Sequence, residues 1–205
     1  MRILISNRAL AGTTLMACLS ALAVALAQPP LTMDGRLTLA GTSNVHAYTA
    51  STAKLRVTRS HIGVLPAGAD LWDSALKPGV IDAFEIAIPA ASLTSPKGDL
   101  DKNMHKALKV EEFPEITFRL VRFETTPDAA GAARAIGMLK IAGVEREVAL
   151  TITTKRAGAS LIVQGSLDLL MTDYGVTPPK AMLGMLKTDP KVRITFDTVL
   201  AAPTT

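Results

Sequence analysis

The residues that could do chemistry are few and far apart. Histidines stand at His46, His61 and His105. No two have the i, i+4 spacing that sets a pair of imidazoles on one helix face, and there is no His-Glu-x-x-His run. The single cysteine, Cys18, supports neither a disulfide framework nor a thiolate zinc site. Asp99 with Asp101, and Glu111 with Glu112, are carboxylate pairs of the kind that divide acid and base roles. Both pairs fall at the ends of one amphipathic segment, where solvated acids are ordinary. A Gly-x-Ser-x-Gly elbow, a Walker loop and a dinucleotide fingerprint are all missing. No catalytic residue, metal or cofactor is therefore assigned. The expectation is a protein that is not an enzyme and works through its apolar surface.

That surface is unevenly spread along the 205 residues, of which 48% are hydrophobic, 4% aromatic and 20% charged. Residues 1–27 read as a secretory signal peptide. Arg2 and Arg8 form a basic start, 9–26 is apolar, and Ala25-Leu26-Ala27 is a small-x-small cleavage site before Gln28-Pro29-Pro30. The apolar stretch also approaches the roughly 18 residues that span a bilayer, so a retained anchor is the competing reading. A lipoprotein reading from Leu15-Met16-Ala17-Cys18 is weaker, because the sequence after Cys18 stays apolar. Without the 27 residues the chain has 178 residues, no cysteine and a net charge of +2 instead of +4. It has no Lys/Arg run with interleaved aromatics, so nucleic acid is not an expected partner. The mature protein is expected to be periplasmic or secreted.

The elements that would position any site are mostly strands. Leu37/Leu39, Leu55/Val57, Phe84/Ile86/Ile88 and Ile116/Phe118/Leu120 alternate with polar residues at period two. Similar runs lie at 135–141, 147–154, 160–170 and 192–199, giving about eight strands. Gly/Pro/Asp-rich breaks at 66–70, 77–79, 126–128 and 156–158 separate them, and 142–146 fits a tight hairpin. Two segments depart from this rhythm. Residues 99–110 carry Leu100, Met104 and Leu108 at four-residue spacing behind a capping Asp99, which predicts a short helix ended by Phe113-Pro114. Residues 178–187 follow Thr177 with Pro178-Pro179 and then Met182, Leu183, Met185 and Leu186, which predicts a second. Helical crossovers between strands are missing, so the strands must be antiparallel. About eight such strands, with one or two short helices, suit an all-β antiparallel barrel or a sandwich.

Four segments in order carry a resemblance. "LAGTSNVHAYTA" at 39–50, "LDKNMHKALKVEEFPEITFRL" at 100–120, "GMLKIAGVEREVAL" at 137–150 and "MTDYGVTPPKAMLGMLKTDPKVRITF" at 171–196 resemble the YceI-like, polyisoprenoid-binding family. The resemblance covers about 34–200 and implies one all-β domain, an eight-stranded antiparallel lipocalin-like barrel with one or two short helices, around a long apolar tunnel that holds an isoprenoid chain outside the cytoplasm. An isoprenoid lipid becomes the expected partner, with transient or peripheral membrane contact.

Apolar burial is enough to hold such a chain, at about 0.8 kcal/mol for each CH₂ removed from water. The candidate lining residues are Phe84, Ile86 and Ile88 on one strand and Ile116, Phe118 and Leu120 on another. Met104 and Leu108 from the first helical segment, with Met182, Met185 and Leu186 from the second, would flank a mouth, where methionine adapts to variable apolar shapes. A polar head would sit near Lys180 or Lys187. Two other readings stay open: a structural or interaction barrel with a filled core, and an enzyme on a barrel scaffold.

Overall fold

A computed structural model describes residues 30–65, 67–125, 131–181 and 186–202. The leader read at 1–27 lies outside these residues. Ten strands are described: β1 (Thr32–Ser43), β2 (Ala47–Thr52), β3 (Arg56–Ile62), β4 (Ile81–Pro89), β5 (Glu115–Thr125), β6 (Ala132–Ile141), β7 (Val144–Ala157), β8 (Ser160–Leu170), β9 (Lys180–Ala181) and β10 (Leu186–Ala201). Nine follow one another in a single antiparallel sheet, in the order β2-β1-β10-β8-β7-β6-β5-β4-β3, and β9 pairs with the start of β10.

The all-β antiparallel expectation holds. The strand count is higher than the eight expected, and the two extra strands have identifiable reasons. β2 presents Tyr48, Ala50 and Thr52 on one face, which is not an apolar alternation. β9 has only two residues, too short to show any period.

The sheet curls until its two edge strands approach. The seam is tied by a few bonds where a ladder would otherwise run. The Leu31 amide donates to Ser60 Oγ (2.7 Å), Thr52 Oγ1 and Ser92 Oγ share a hydrogen bond (2.8 Å), and Ser51 forms an isolated bridge with Thr94. The hairpin between β6 and β7 turns through Ala142 and Gly143 with φ of 47° and 83°. Two successive positive φ values match the strand twist, which is why glycine suits the second position.

Two helices close the ends. α1 (Leu71–Ser74) is capped by Asp70, whose carboxylate accepts from the amides of Trp72 (2.8 Å) and Asp73 (3.3 Å). It plugs one end. Trp72 is 7% exposed and its indole N–H donates to the Ala159 carbonyl (2.8 Å) in the β7–β8 turn. Arg156 reaches from β7 to Asp73 (2.8 Å) and Asp70 (2.9 Å) and holds the plug from outside.

α2 (Gly98–Leu108) sits at the other end. The expected capping role of Asp99 is not found. The N-cap is Lys97, without a side-chain bond, and Asp99 falls in the first turn. Asp101 instead accepts from the Ser95 amide (2.7 Å) and fixes the approach to the helix. The second expected helix, 178–187, is also corrected. Lys180 and Ala181 are strand β9, and Leu186 and Lys187 begin β10 opposite them. A ten-residue helix with two prolines and Gly184 gains little against its nucleation cost, whereas β10 extends a ladder that already exists. Residues 182–185 lie outside the described residues. Among those described, no helix is long and apolar enough to cross a membrane.

A cavity lined by apolar strand faces

The alternation read from the sequence becomes a wall. On β8, Leu161, Val163, Leu167 and Leu169 point inward, while Gln164 and Asp168 point outward to bond Asp197 (2.9 Å) and Arg193 (2.6 Å). The same division runs round the sheet. Ion pairs such as Arg56–Glu115 (2.6 Å) and Arg119–Glu145 (3.8 Å) decorate the outer face. Inside, the buried side chains form three clusters with space between them. One gathers round Trp72 and Leu31 at the α1 end. A second surrounds Tyr174 and Ile141 at the α2 end, and a small third joins Ala133, Ala135 and Ile152. Leu120 alone packs against all three, which places it near the middle.

The space is one continuous cavity of about 220 Å³. Apolar cavities of roughly 150 Å³ stay dry and take up benzene-sized molecules, so this one is large enough for part of a hydrocarbon chain. No charged side chain lines it among the described residues. Its polar groups are four threonines and two tyrosines, Tyr48 and Tyr174. Two of the threonine hydroxyls are satisfied by backbone: Thr198 donates to the Val163 carbonyl (3.0 Å) and Thr154 to Gly131 (3.1 Å). Many lining residues, Leu37, Leu39, Ile86 and Phe196 among them, are only half-buried although they face inward. In a filled core they would be sealed by neighbours.

Two glycines help to make the room. Gly137 on β6 and Gly165 on β8 face inward, and the rings of Phe118 and Phe196 lie across them. A side chain at either position would collide with the ring and with a neighbouring carbonyl. Because the rings rest flat on the sheet, the centre stays open.

Eight of the sequence-derived candidates meet here. Phe84, Ile86, Ile88, Ile116, Phe118 and Leu120 line the cavity from β4 and β5, and Met104 and Leu108 line it from α2. α2 has no buried residue, although Leu100, Met104, Ala107 and Leu108 all border the space. α2 thus lies over this end of the space without sinking a residue into the core. Met182 and Met185 lie outside the described residues. Leu186 is placed by its backbone as the first residue of β10, in a strand and not in the expected helix. Lys187 is exposed, its amide donates to Asn44 Oδ1 (2.8 Å), and its backbone pairs with Lys180.

The histidines do not converge. His61 Nδ1 meets Asp82 (2.6 Å) on the outer surface, His105 Nε2 meets the Leu93 carbonyl (2.8 Å), and the His46 amide donates to Ser43 Oγ (3.1 Å) in an exposed turn. Sequence reasoning missed the two tyrosines. Burial pushes the Tyr48 phenol above its ordinary pKa, and nearby Asp189 adds to the shift. Burial likewise raises Tyr174, with Asp173 adding and Arg146 opposing. Both remain protonated near neutral pH and so remain hydrogen-bond donors.

The model of the YceI-like domain matches residues 47–200. The chain belongs to the YceI-like family. Among solved structures, BcnA of Burkholderia cenocepacia superposes with a TM-score of 0.62 at 16% identity, over 80% of this chain and 95% of that one. A polyisoprenoid binding domain from Saccharophagus degradans, implicated in plant cell wall breakdown, gives 0.60 at 14% identity over 85% and 100%. The YceI protein of Campylobacter jejuni gives 0.53 at 15% identity over 74% and 85%. No curated protein sequence matches the chain. At these identities the solved structures share the fold.

Proposed function

We propose that this YceI-like protein binds an isoprenoid lipid, of polyprenyl or quinone type, with its chain in the barrel cavity. It acts as a carrier or store outside the cytoplasm and catalyses no reaction. The observation that carries the reading is the continuous apolar cavity with no charged group in its wall among the described residues. A wall of that kind favours a hydrocarbon chain by burial alone and offers no reacting group. Each five-carbon isoprene unit taken from water contributes up to about 4 kcal/mol at about 0.8 kcal/mol per CH₂. The polyisoprenoid-binding structural neighbour supports the choice of chain. The export signal read at 1–27 supports the location, and α2 at the mouth is where lipid would pass to and from a membrane.

A titration with prenyl alcohols of increasing length tests it. Affinity should climb steeply with each added unit and level off once the cavity is full. Affinity independent of chain length, or absent for every chain, would refute it and favour a structural barrel.

A further inference from the structure

One stretch of chain crosses the α2 end of the barrel from one side of the sheet to the other. β4 and β5 pair as far as Pro89 and Glu115, and the residues between them, 90–114, leave the sheet and return to it at that point. They comprise a 3-10 turn (Ala90–Ser92), a strap at 93–97, α2 and the turn after it. At its far reach the stretch meets β2, the edge of the sheet opposite to β3 and its neighbour β4. The two attachments differ in kind. On the β4–β5 side the stems are fastened. The Ala90 amide donates to the Pro114 carbonyl (2.8 Å), Ala90 is 1% exposed, and the Phe113 ring lies on Gly143 of the β6–β7 hairpin. On the β2 side the attachment is a short row of hydrogen bonds. Ser51 and Thr94 exchange both backbone bonds (2.8 and 3.0 Å), and the Thr52 and Ser92 hydroxyls meet at 2.8 Å. Ser92 gives its one hydroxyl proton to the Pro89 carbonyl (2.6 Å), so it accepts from Thr52 and joins this contact to the stem.

α2 is tied to the strap. The Ser95 amide donates to Asp101 (2.7 Å), His105 Nε2 donates to the Leu93 carbonyl (2.8 Å), and no residue of α2 is buried. From the strap Leu93, 2% exposed, reaches the interior. Elsewhere the wall is closed by antiparallel ladders, and Leu31, Val57 and Trp72 share one buried cluster across the seam and the plug. Parting a ladder breaks many bonds together, whereas the β2 attachment exchanges a few for water, each at modest net cost.

We propose that 90–114 is a flap, hinged at Pro89–Ala90 and Phe113–Pro114 and latched to β2 through Ser51–Thr94 and Thr52–Ser92, and that unlatching is the step that admits and discharges the lipid. This rests on the lipid-binding reading above and adds the route. Lifting the flap carries Leu93, Leu100, Met104, Ala107 and Leu108 away from the cavity as one unit. The latch therefore sets the rate of exchange, and the apolar wall sets the affinity.

Two variants move the latch in opposite directions. Thr52→Cys/Ser92→Cys, in a Cys18→Ser background, replaces the 2.8 Å hydroxyl contact with a disulfide, and Ser92→Ala removes it. Transfer of radiolabelled geranylgeraniol to and from phosphatidylcholine vesicles reads the rates, and its partition at equilibrium reads the affinity. Amide hydrogen exchange without ligand reads the opening itself. The oxidised pair should slow uptake and release alike by about tenfold or more, at unchanged affinity and with recovery on reduction, because a covalent bond replaces contacts worth about that factor. Ser92→Ala should speed release about 3- to 10-fold, the worth of one neutral hydrogen bond. In wild type the Ser51 and Thr94 amides should exchange sooner than those of β6–β8, and the oxidised pair should protect them. Wild-type rates in the oxidised pair, unchanged release from Ser92→Ala, or Ser51 and Thr94 amides as protected as the β6–β8 ladders overturn the inference and leave lipid binding in place. So does a slowing that reduction does not reverse, which marks damage to the fold. If wild type takes up no geranylgeraniol, the lipid-binding reading fails, and the exchange of those two amides still decides whether the flap opens.

Discussion

Leu120→Glu places a carboxyl against the middle of the cavity, where Leu120 touches all three apolar clusters. With the mouth under α2, as proposed, water can reach the new side chain in the ligand-free protein and the fold should survive. A bound prenyl chain would strip that water away. The carboxyl must then be neutral, and protonating a glutamate of ordinary pKa about 4.3 at pH 7 costs about 3.7 kcal/mol, or roughly 500-fold in affinity. This penalty shrinks by about tenfold for each pH unit below 7 until the carboxyl titrates by itself. What remains at low pH is the cost of burying a poorly satisfied acid, about 1–3 kcal/mol. The assay is fluorescence displacement of a prenyl ligand from pH 7.5 to 4.5, with Leu120→Gln as the uncharged control of the same shape. The glutamate variant should regain affinity on acidification and the glutamine variant should show no such slope. A glutamate variant that binds like wild type at pH 7 would show that the chain does not pass Leu120. A variant that cannot fold, together with a glutamine control that cannot fold, would show that the interior is filled.

Trp72→Ala removes the α1 plug and its bond to Ala159. It should cost about 3–5 kcal/mol, read as a melting temperature lower by roughly 6–20 °C for a chain of this size, while longer prenyl chains gain affinity. Gly165→Ala drives a methyl into the Phe196 ring and the Thr151 carbonyl. Thermal melts should show a loss of about 1–3 kcal/mol of the kind overpacking causes, and prenyl affinity should fall because the ring is pushed into the cavity. The acid limb of stability should involve Asp70. Burial alone would raise its pKa, but the amides of Asp73 and Trp72 together with Arg156 bring it below the ordinary carboxylate value. A lowered folded-state pKa gives stability that is present above about pH 3.9 and is lost as pH falls through the folded value. Asp70→Asn should therefore flatten the melting temperature profile between pH 5 and 2 relative to wild type.

How much could be read in advance depended on whether the pattern was local. β5 was legible because Ile116, Phe118 and Leu120 alternate strictly with charged and polar residues. α2 was legible because Leu100, Met104 and Leu108 fall on one helical stripe. β2 was not, since its inward residues are a tyrosine, an alanine and a threonine. α1 was hidden too, because four residues inside a Gly/Pro-rich stretch carry no periodicity and Trp72 finds its role only through Ala159, distant in sequence. The stretch 178–187 misled because proline followed by methionine and leucine suits a first helical turn, whereas the ladder along β10 decides the outcome. The cavity itself posed the deepest difficulty. Inward Leu, Ile and Phe look the same in sequence whether they fill a core or line a space. The difference lies in how far the sheet curls and in rings lying flat over Gly137 and Gly165, contacts made between strands. Tyr174 stayed invisible for a similar reason, because its burial is a property of its surroundings.

The central claim is that the barrel holds a prenyl chain, and extraction tests it most directly. Protein purified gently from its own cells, treated with organic solvent and analysed by mass spectrometry, should release about one prenyl-chain lipid per molecule. Recovery of no lipid, or of phospholipids in the proportions of the surrounding membrane, would contradict the claim.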